Sequence, residues 1–108
     1  MYHFYIISKG GGSALIPACK HAHVEVVAAL LSDKNFPVDH INRLGWTGLL
    51  EAIILGNGSA AHVQVVKMLI AAGANVNIAD KDGVSPLAHA KRKGQTAIAN
   101  LLQQAGAK

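Results

Sequence analysis

The chain has 108 residues, enough for one domain with a hydrophobic core but too few for an enzyme with a separate substrate domain. Hydrophobic residues make up 51% and aromatics 5%, a balance that favours packing of small-residue helices over a β-sandwich. The net charge of +4 suits solubility or an acidic partner, no apolar run reaches the length of a membrane span, and a lone cysteine, Cys19, excludes an internal disulfide.

In chain order, the start "MYHFYIISKGGGS" gathers Tyr2, Phe4 and Tyr5 but has neither the basic segment nor the long apolar stretch of a secretory signal. A cytoplasmic protein is the default expectation. "LIPACK" and "VEVVAALL" follow as two short helices that break near His23, with Pro17 in the first turn or so of the first helix. The exit "SDKNFPVD" has no glycine, so Asn35 is expected to end the second helix. Thr47 stands where an N-cap oxygen satisfies free amides, and Gly48 behind it weakens the next helix by a few tenths to ~1 kcal/mol. Val65, Val66, Leu69 and Ile70 form the stripe of an amphipathic helix that Gly73 terminates. "GANVNIADKDG" has the alternation and turn residues of a β-hairpin. Ser85 and Pro86 cap and start the next helix, where Leu87 and Ala90 share a face. "KRKG" closes that helix, and a last one runs to Gly106.

These elements repeat. Val65-Val66 and Gly73-Ala74 recur 33 residues later as Ile98-Ala99 and Gly106-Ala107, whereas Gly45 recurs 38 residues later as Gly83. The two spacings agree if Asn57 to Ala61 are five extra residues, an inserted loop at 57–61. The three units occupy about 8–40, 41–78 and 79–108. Asp80, Gly83, Ser85, Pro86, Leu87, Ala90, Gly94, Ile98, Leu101, Leu102, Gly106 and Ala107 fall in one register with Gly45, Thr47, Leu49, Ala52, His62, Val65, Val66, Leu69, Gly73 and Ala74. In that register the chain resembles the ankyrin repeat family over about residues 8 to 107. The resemblance implies a single all-α ankyrin solenoid of helix-turn-helix units joined by β-hairpin finger loops. It departs from the family after the Thr-Pro-Leu position, where Ile16, Leu50 and Ala88 replace the usual histidine. Asn100, Gln103 and Gln104 make the last helix polar, as a terminal repeat requires. No comparable polar residues guard the front, where an uncapped face would favour homodimerisation.

Chemical motifs are sparse. The run "IILGNGSAAHVQVVKML" outlines a nucleotide-binding strand, glycine turn and helix, but in the repeat register "IIL" ends one helix and "HVQVVKML" starts the next. Cys19, His21 and His23 invite a metal site, yet the helix break falls between Cys19 and His23 and no further ligands have fixed spacing. No nucleophile stands with a base at recognisable spacing. No enzyme activity, cofactor, metal, nucleic acid or membrane is expected. The alternative to a binding module is a small-molecule or metal binder using Gly56 to Ala61 or Cys19, His21 and His23, or a structural fragment of a longer repeat protein.

The family resemblance implies that a partner protein is bound on the concave face, by finger tips and the exposed side of the first helices. On the fingers these positions are Lys9, Arg43, Leu44, Trp46, Lys81 and Val84; on the first helices they are Lys20, His21, Leu55, Arg92 and Lys93. The set is mostly basic and holds the single Trp, so an acidic or amphipathic segment is the expected partner, with Trp46 beside Arg43 as anchor. Lys91 to Lys93 also suit the negative end of the helix dipole.

Overall fold

A computed structural model of the chain describes residues 15–108. The expected face formed by the aromatic start, and Lys9, lie outside the described residues. Six helices follow in pairs: α1 (Leu15–Lys20) with α2 (Val24–Leu31), α3 (Gly48–Ile54) with α4 (Ala60–Ala71), and α5 (Pro86–Arg92) with α6 (Thr96–Gln104). The first helices α1, α3 and α5 pack side by side in one row, and the second helices α2, α4 and α6 form a second row against it. Each pair buries an apolar face only by stacking on the next. The core runs between the rows and includes Leu15, Val27, Leu49, Ile53, Val65, Val66, Leu69, Ile98 and Leu102, each at most 2% exposed.

Local chemistry starts and stops these helices as expected at most positions. Thr47 and Ser85 accept from the amides of Leu50 and Ala88, three residues on, so each hydroxyl replaces a missing intrahelical carbonyl. Gly73 and Gly106, both at φ 91°, let the next amide turn back to the helix: Ala74 donates to Leu69 O and Ala107 to Leu102 O. Three expectations change. Asn35 does not end α2; Ser32 does, donating its amide to Ala28 O and its hydroxyl to Ala29 O, with no left-handed residue. Among the described residues no strand forms, and the β-hairpin form expected of the fingers is not confirmed. In each finger one side chain takes the amides a ladder would use. Asn42 Oδ1 accepts from Leu44 N and Trp46 N, and Asp80 Oδ1 from Asp82 N and Val84 N. A single backbone closure remains at each base, Asn42 N to Trp46 O and Asp80 N to Val84 O, both 3.0 Å.

The third change concerns residues 57–61. Only Asn57, Gly58 and Ser59 are loop, while Ala60 and Ala61 are the first two residues of α4, which runs 12 residues against 8 in α2 because it also takes in His62 at its start and Ala71 at its end. Ser59 supports this by accepting from His62 N as N-cap. Alanine is the best helix former, so two of them beyond a serine prolong the helix instead of bulging away from it.

Gly48 acquires a purpose that propensity does not show. A Cβ on it would stand 3.2 Å from Cys19 Sγ and 3.3 Å from Leu15 Cδ2, so its missing side chain lets α3 lie close on α1. The loss in helix propensity is offset by that contact.

Candidate partner-binding surface

The sequence-predicted contact residues separate into two groups at opposite ends of the first-helix row. At the N-terminal end are the fingers, where Arg43, Leu44 and Lys81 are exposed and Trp46 and Val84 are half-buried. The two fingers touch, since a Cβ on Gly45 would lie 3.4 Å from Lys81 Cβ; its φ of 81° independently favours glycine. At the C-terminal end stand Lys20, His21, Leu55, Arg92 and Lys93, all exposed. The seven residues of α3 separate the groups by about 10 Å. Each group joins cations to an exposed large apolar side chain: Leu44 is 49% exposed and Leu55 44%.

Polar contacts tie each finger to the helix behind it. In the third repeat His89 Nε2 meets Asp80 Oδ2 at 2.8 Å. Hydrogen bonds from Val84 N, then His89, hold the Asp80 carboxyl below its usual range. In the middle repeat the equivalent positions are Asn42 and Glu51, also hydrogen-bonded to one another. The acid has moved from finger to helix. Glu51 is only 6% exposed and its Oε2 has no hydrogen-bond partner among the described residues. Burial raises its carboxyl above the ordinary range, against the lowering effects of Lys20 and the Asn42 hydrogen bond. The constant offset of nine residues, 42 to 51 and 80 to 89, was the available sequence signal for these pairs.

A second set of contacts joins successive repeats at the helix ends, and sequence reasoning missed it. His62 Nε2 is 2.8 Å from Lys20 O, while His62 Nδ1 lies 3.0 Å from Ser59 Oγ. With Nε2 bound to a carbonyl it must donate, so in the neutral ring Nδ1 accepts the serine hydroxyl proton. One repeat later Gln95 Nε2 donates to Ile53 O at 3.1 Å. Lys93 Nζ donates to Ile54 O at 2.5 Å and Gly56 O at 2.9 Å. The ammonium of Lys93 is therefore committed to the end of α3. Gly56 is required here because a Cβ would fall 2.4 Å from His62 Cδ2 and 2.1 Å from Ala52 O.

These contacts also decide the other chemical candidates. The loop from Gly56 to Ala61 is occupied by its own cap, with Ser59 on His62 and His62 turned inward. Cys19 is fully buried between α1 and α3, and burial together with the Glu51 charge pushes its thiol up to about 12, so it stays a neutral thiol. His21 and His23 are exposed and stack on one another with ring centroids 5.5 Å apart, away from Cys19's buried position. Among the described residues no group of three or more His, Cys, Asp or Glu is placed to hold a metal.

Comparison with known proteins agrees with this repeat geometry. A family model described as ankyrin repeats in three copies matches residues 3–80. The chain belongs to the ankyrin repeat family. An ankyrin repeat domain from Acinetobacter baumannii AYE superposes with a TM-score of 0.89 at 54% identity, covering 93% of this chain and 50% of that one. The Escherichia coli (strain K12) protein YahD, which carries the ankyrin repeat name, is 40% identical over 101 residues, 94% of this chain and 50% of its own length. The RelA-associated inhibitor of Mus musculus is 38% identical over 93 residues, 86% of this chain but 11% of its own length. The chain thus spans half or less of these relatives. Ankyrin repeats are a general protein-interaction module and typically carry no catalysis. No helix among the described residues is long and apolar enough to cross a membrane.

Proposed function

We propose that this ankyrin domain binds an acidic, amphipathic segment of a partner protein across its fingers and the ends of its first helices. The observation that carries this reading is the pairing of exposed cations with exposed leucines at both ends of one helix row. Leu44 stands with Arg43 and Lys81, and Leu55 with Lys20 and Arg92. A segment bridging the two groups needs about four extended residues for the ~10 Å gap. An apolar side chain at each end and carboxylates between them match what the surface offers. Trp46, half-buried at the finger base, adds a rigid aromatic wall beside Leu44. Binding rests on surface complementarity over a rigid scaffold, without bond chemistry. That a relative is named as a RelA-associated inhibitor fits a module of this kind.

The test is selection from a displayed library of random peptides. Enriched sequences should pair two apolar anchors with intervening Asp or Glu and bind more weakly as salt rises. Replacing Leu44 with Asp, or Trp46 and Arg43 together with Ala, should weaken a selected peptide by at least ~30-fold, about 2 kcal/mol, with the fold intact by circular dichroism. Enrichment of basic or purely apolar peptides, or full affinity in both variants, would refute the proposal.

A further inference from the structure

Asn57 is the only one of the chain's asparagines that precedes a glycine. It is exposed, and its Oδ1 accepts from Ser59 N at 3.0 Å. The ring that this bond closes contains the Gly58 nitrogen, so the carboxamide is folded over the amide that follows it. The same bond draws electron density from Cγ and stands ready for negative charge on Oδ1. Among the described residues neither Gly58 N nor Asn57 Nδ2 has a hydrogen-bond partner. The fold also holds glycine at position 58. Its φ is 70°, and a Cβ there would stand 3.0 Å from Cγ of Gln95, the side chain that bonds Ile53 O. Asn42 and Asn75 make the same turn, accepting from Leu44 N and Asn77 N, both at 2.9 Å, but Arg43 and Val76 follow them. In those two a side chain crowds the nitrogen that glycine leaves open.

We infer that Asn57 is a site of spontaneous covalent modification, converted by water to aspartate and isoaspartate through a succinimide. Gly58 N gives up its proton to a solvent base, and its electron pair forms a bond to Asn57 Cγ. The resulting oxyanion at Oδ1 faces Ser59 N. Collapse breaks the Cγ–Nδ2 bond, and Nδ2 takes a proton from solvent and departs as ammonia. Water then adds to either carbonyl of the ring, and the bond from that carbonyl to Gly58 N breaks. Opening at the main-chain carbonyl leaves isoaspartate, with the chain running through Cγ; opening at Cγ leaves aspartate. Water enters, ammonia leaves, and nothing is oxidised or reduced. The two products act differently on the repeat junction. Aspartate keeps an acceptor for Ser59 N and adds its charge ahead of the start of α4, where it is favourable. Isoaspartate inserts a main-chain carbon two residues before Ser59, the cap that holds His62 N and the ring bonded to Lys20 O. Ageing at Asn57 therefore loosens the contact between the first two repeats. This inference is independent of the peptide-binding proposal.

The test is peptide mapping by mass spectrometry after incubation in mildly alkaline heavy-oxygen water at physiological temperature. The Asn57 peptide should exchange NH2 for OH, carry heavy oxygen and contain isoaspartate, at least ~10-fold faster than the peptides of Asn42 and Asn75. The rate should rise with hydroxide concentration, because the deprotonated amide is the nucleophile. In the urea-unfolded chain Asn57 should react no more than ~10-fold faster than in the folded protein. Asn57→Gln, whose longer side chain must close a larger ring, should fold normally and stay unmodified. After chromatographic separation the isoaspartyl form should melt about 4 °C or more below the parent, and Asn57→Asp within about 2 °C of it. An intact Asn57 overturns the inference, as does aspartate without isoaspartate, which marks direct hydrolysis. Protection by the fold beyond ~10-fold overturns it too. An isoaspartyl form that melts with the parent overturns the effect on the repeat junction.

Discussion

His62 and Gln95 perform one task with two chemistries, and that equivalence makes a sharp prediction. Each donates from its side chain to a carbonyl at the end of the preceding first helix, at 2.8 Å and 3.1 Å. His62→Leu keeps comparable apolar bulk but removes the donor, leaving Lys20 O unpaired and Ser59 Oγ without its ring partner. A buried acceptor left unpaired costs about 1–3 kcal/mol; because this site is only partly buried, the total falls near 2 kcal/mol. His62→Gln restores an N–H donor of the kind Gln95 uses and should cost less than ~1 kcal/mol. Urea unfolding measures both. With the slope expected for a domain of this size, His62→Leu lowers the midpoint by roughly 1 M and His62→Gln by less than half of that. Equal losses for Leu and Gln would refute the reasoning, because ring packing and not the donated hydrogen bond would then matter. No loss for Leu would mean that the repeat junction draws nothing from this contact.

Two further outcomes follow from the same geometry. Because the Glu51 carboxyl is raised by burial, the folded state binds its proton more tightly than the unfolded chain, so its penalty is present at neutral pH and disappears as pH falls through the raised value. Glu51→Gln should therefore stabilise the protein by up to ~1 kcal/mol at pH 7, with the difference shrinking toward pH 4.5 in paired urea titrations; a difference constant with pH contradicts it. Lys93→Met should lower stability by about 1 kcal/mol with little effect on peptide affinity, since its ammonium holds Ile54 O and Gly56 O. Arg92→Met should do the reverse, and melting curves beside fluorescence titrations separate the two.

How much of this was legible depends on whether a residue's role is local or lies across the repeat junction. Thr47, Ser85, Gly73 and Gly106 act on backbone groups within a few residues of themselves, so the sequence alone places them correctly. Asp80 and Asn42 also act locally, but their side chains draw off the amides that a hairpin ladder would need. Alternation in "GANVNIADKDG" cannot show that competition, and the finger holds one backbone closure with no strand assigned. Gly48 and Gly56 are misread for a different reason. Their value lies in Cys19 Sγ and the His62 ring standing within about 3.2 Å and 2.4 Å of where a Cβ would be. Those neighbours are 29 and 6 residues away in the chain, and nothing in their identities announces the contact. Lys93 shows how this limits a site prediction. Read as a charge run, Lys91 to Lys93 are three interchangeable cations; folded, one of them closes the helix of the preceding repeat. A binding surface read from aligned positions therefore overcounts its charges wherever the repeats use a cation to hold one another. Salt dependence of peptide binding should reflect Lys20, Arg43, Lys81 and Arg92 while remaining insensitive to Lys93.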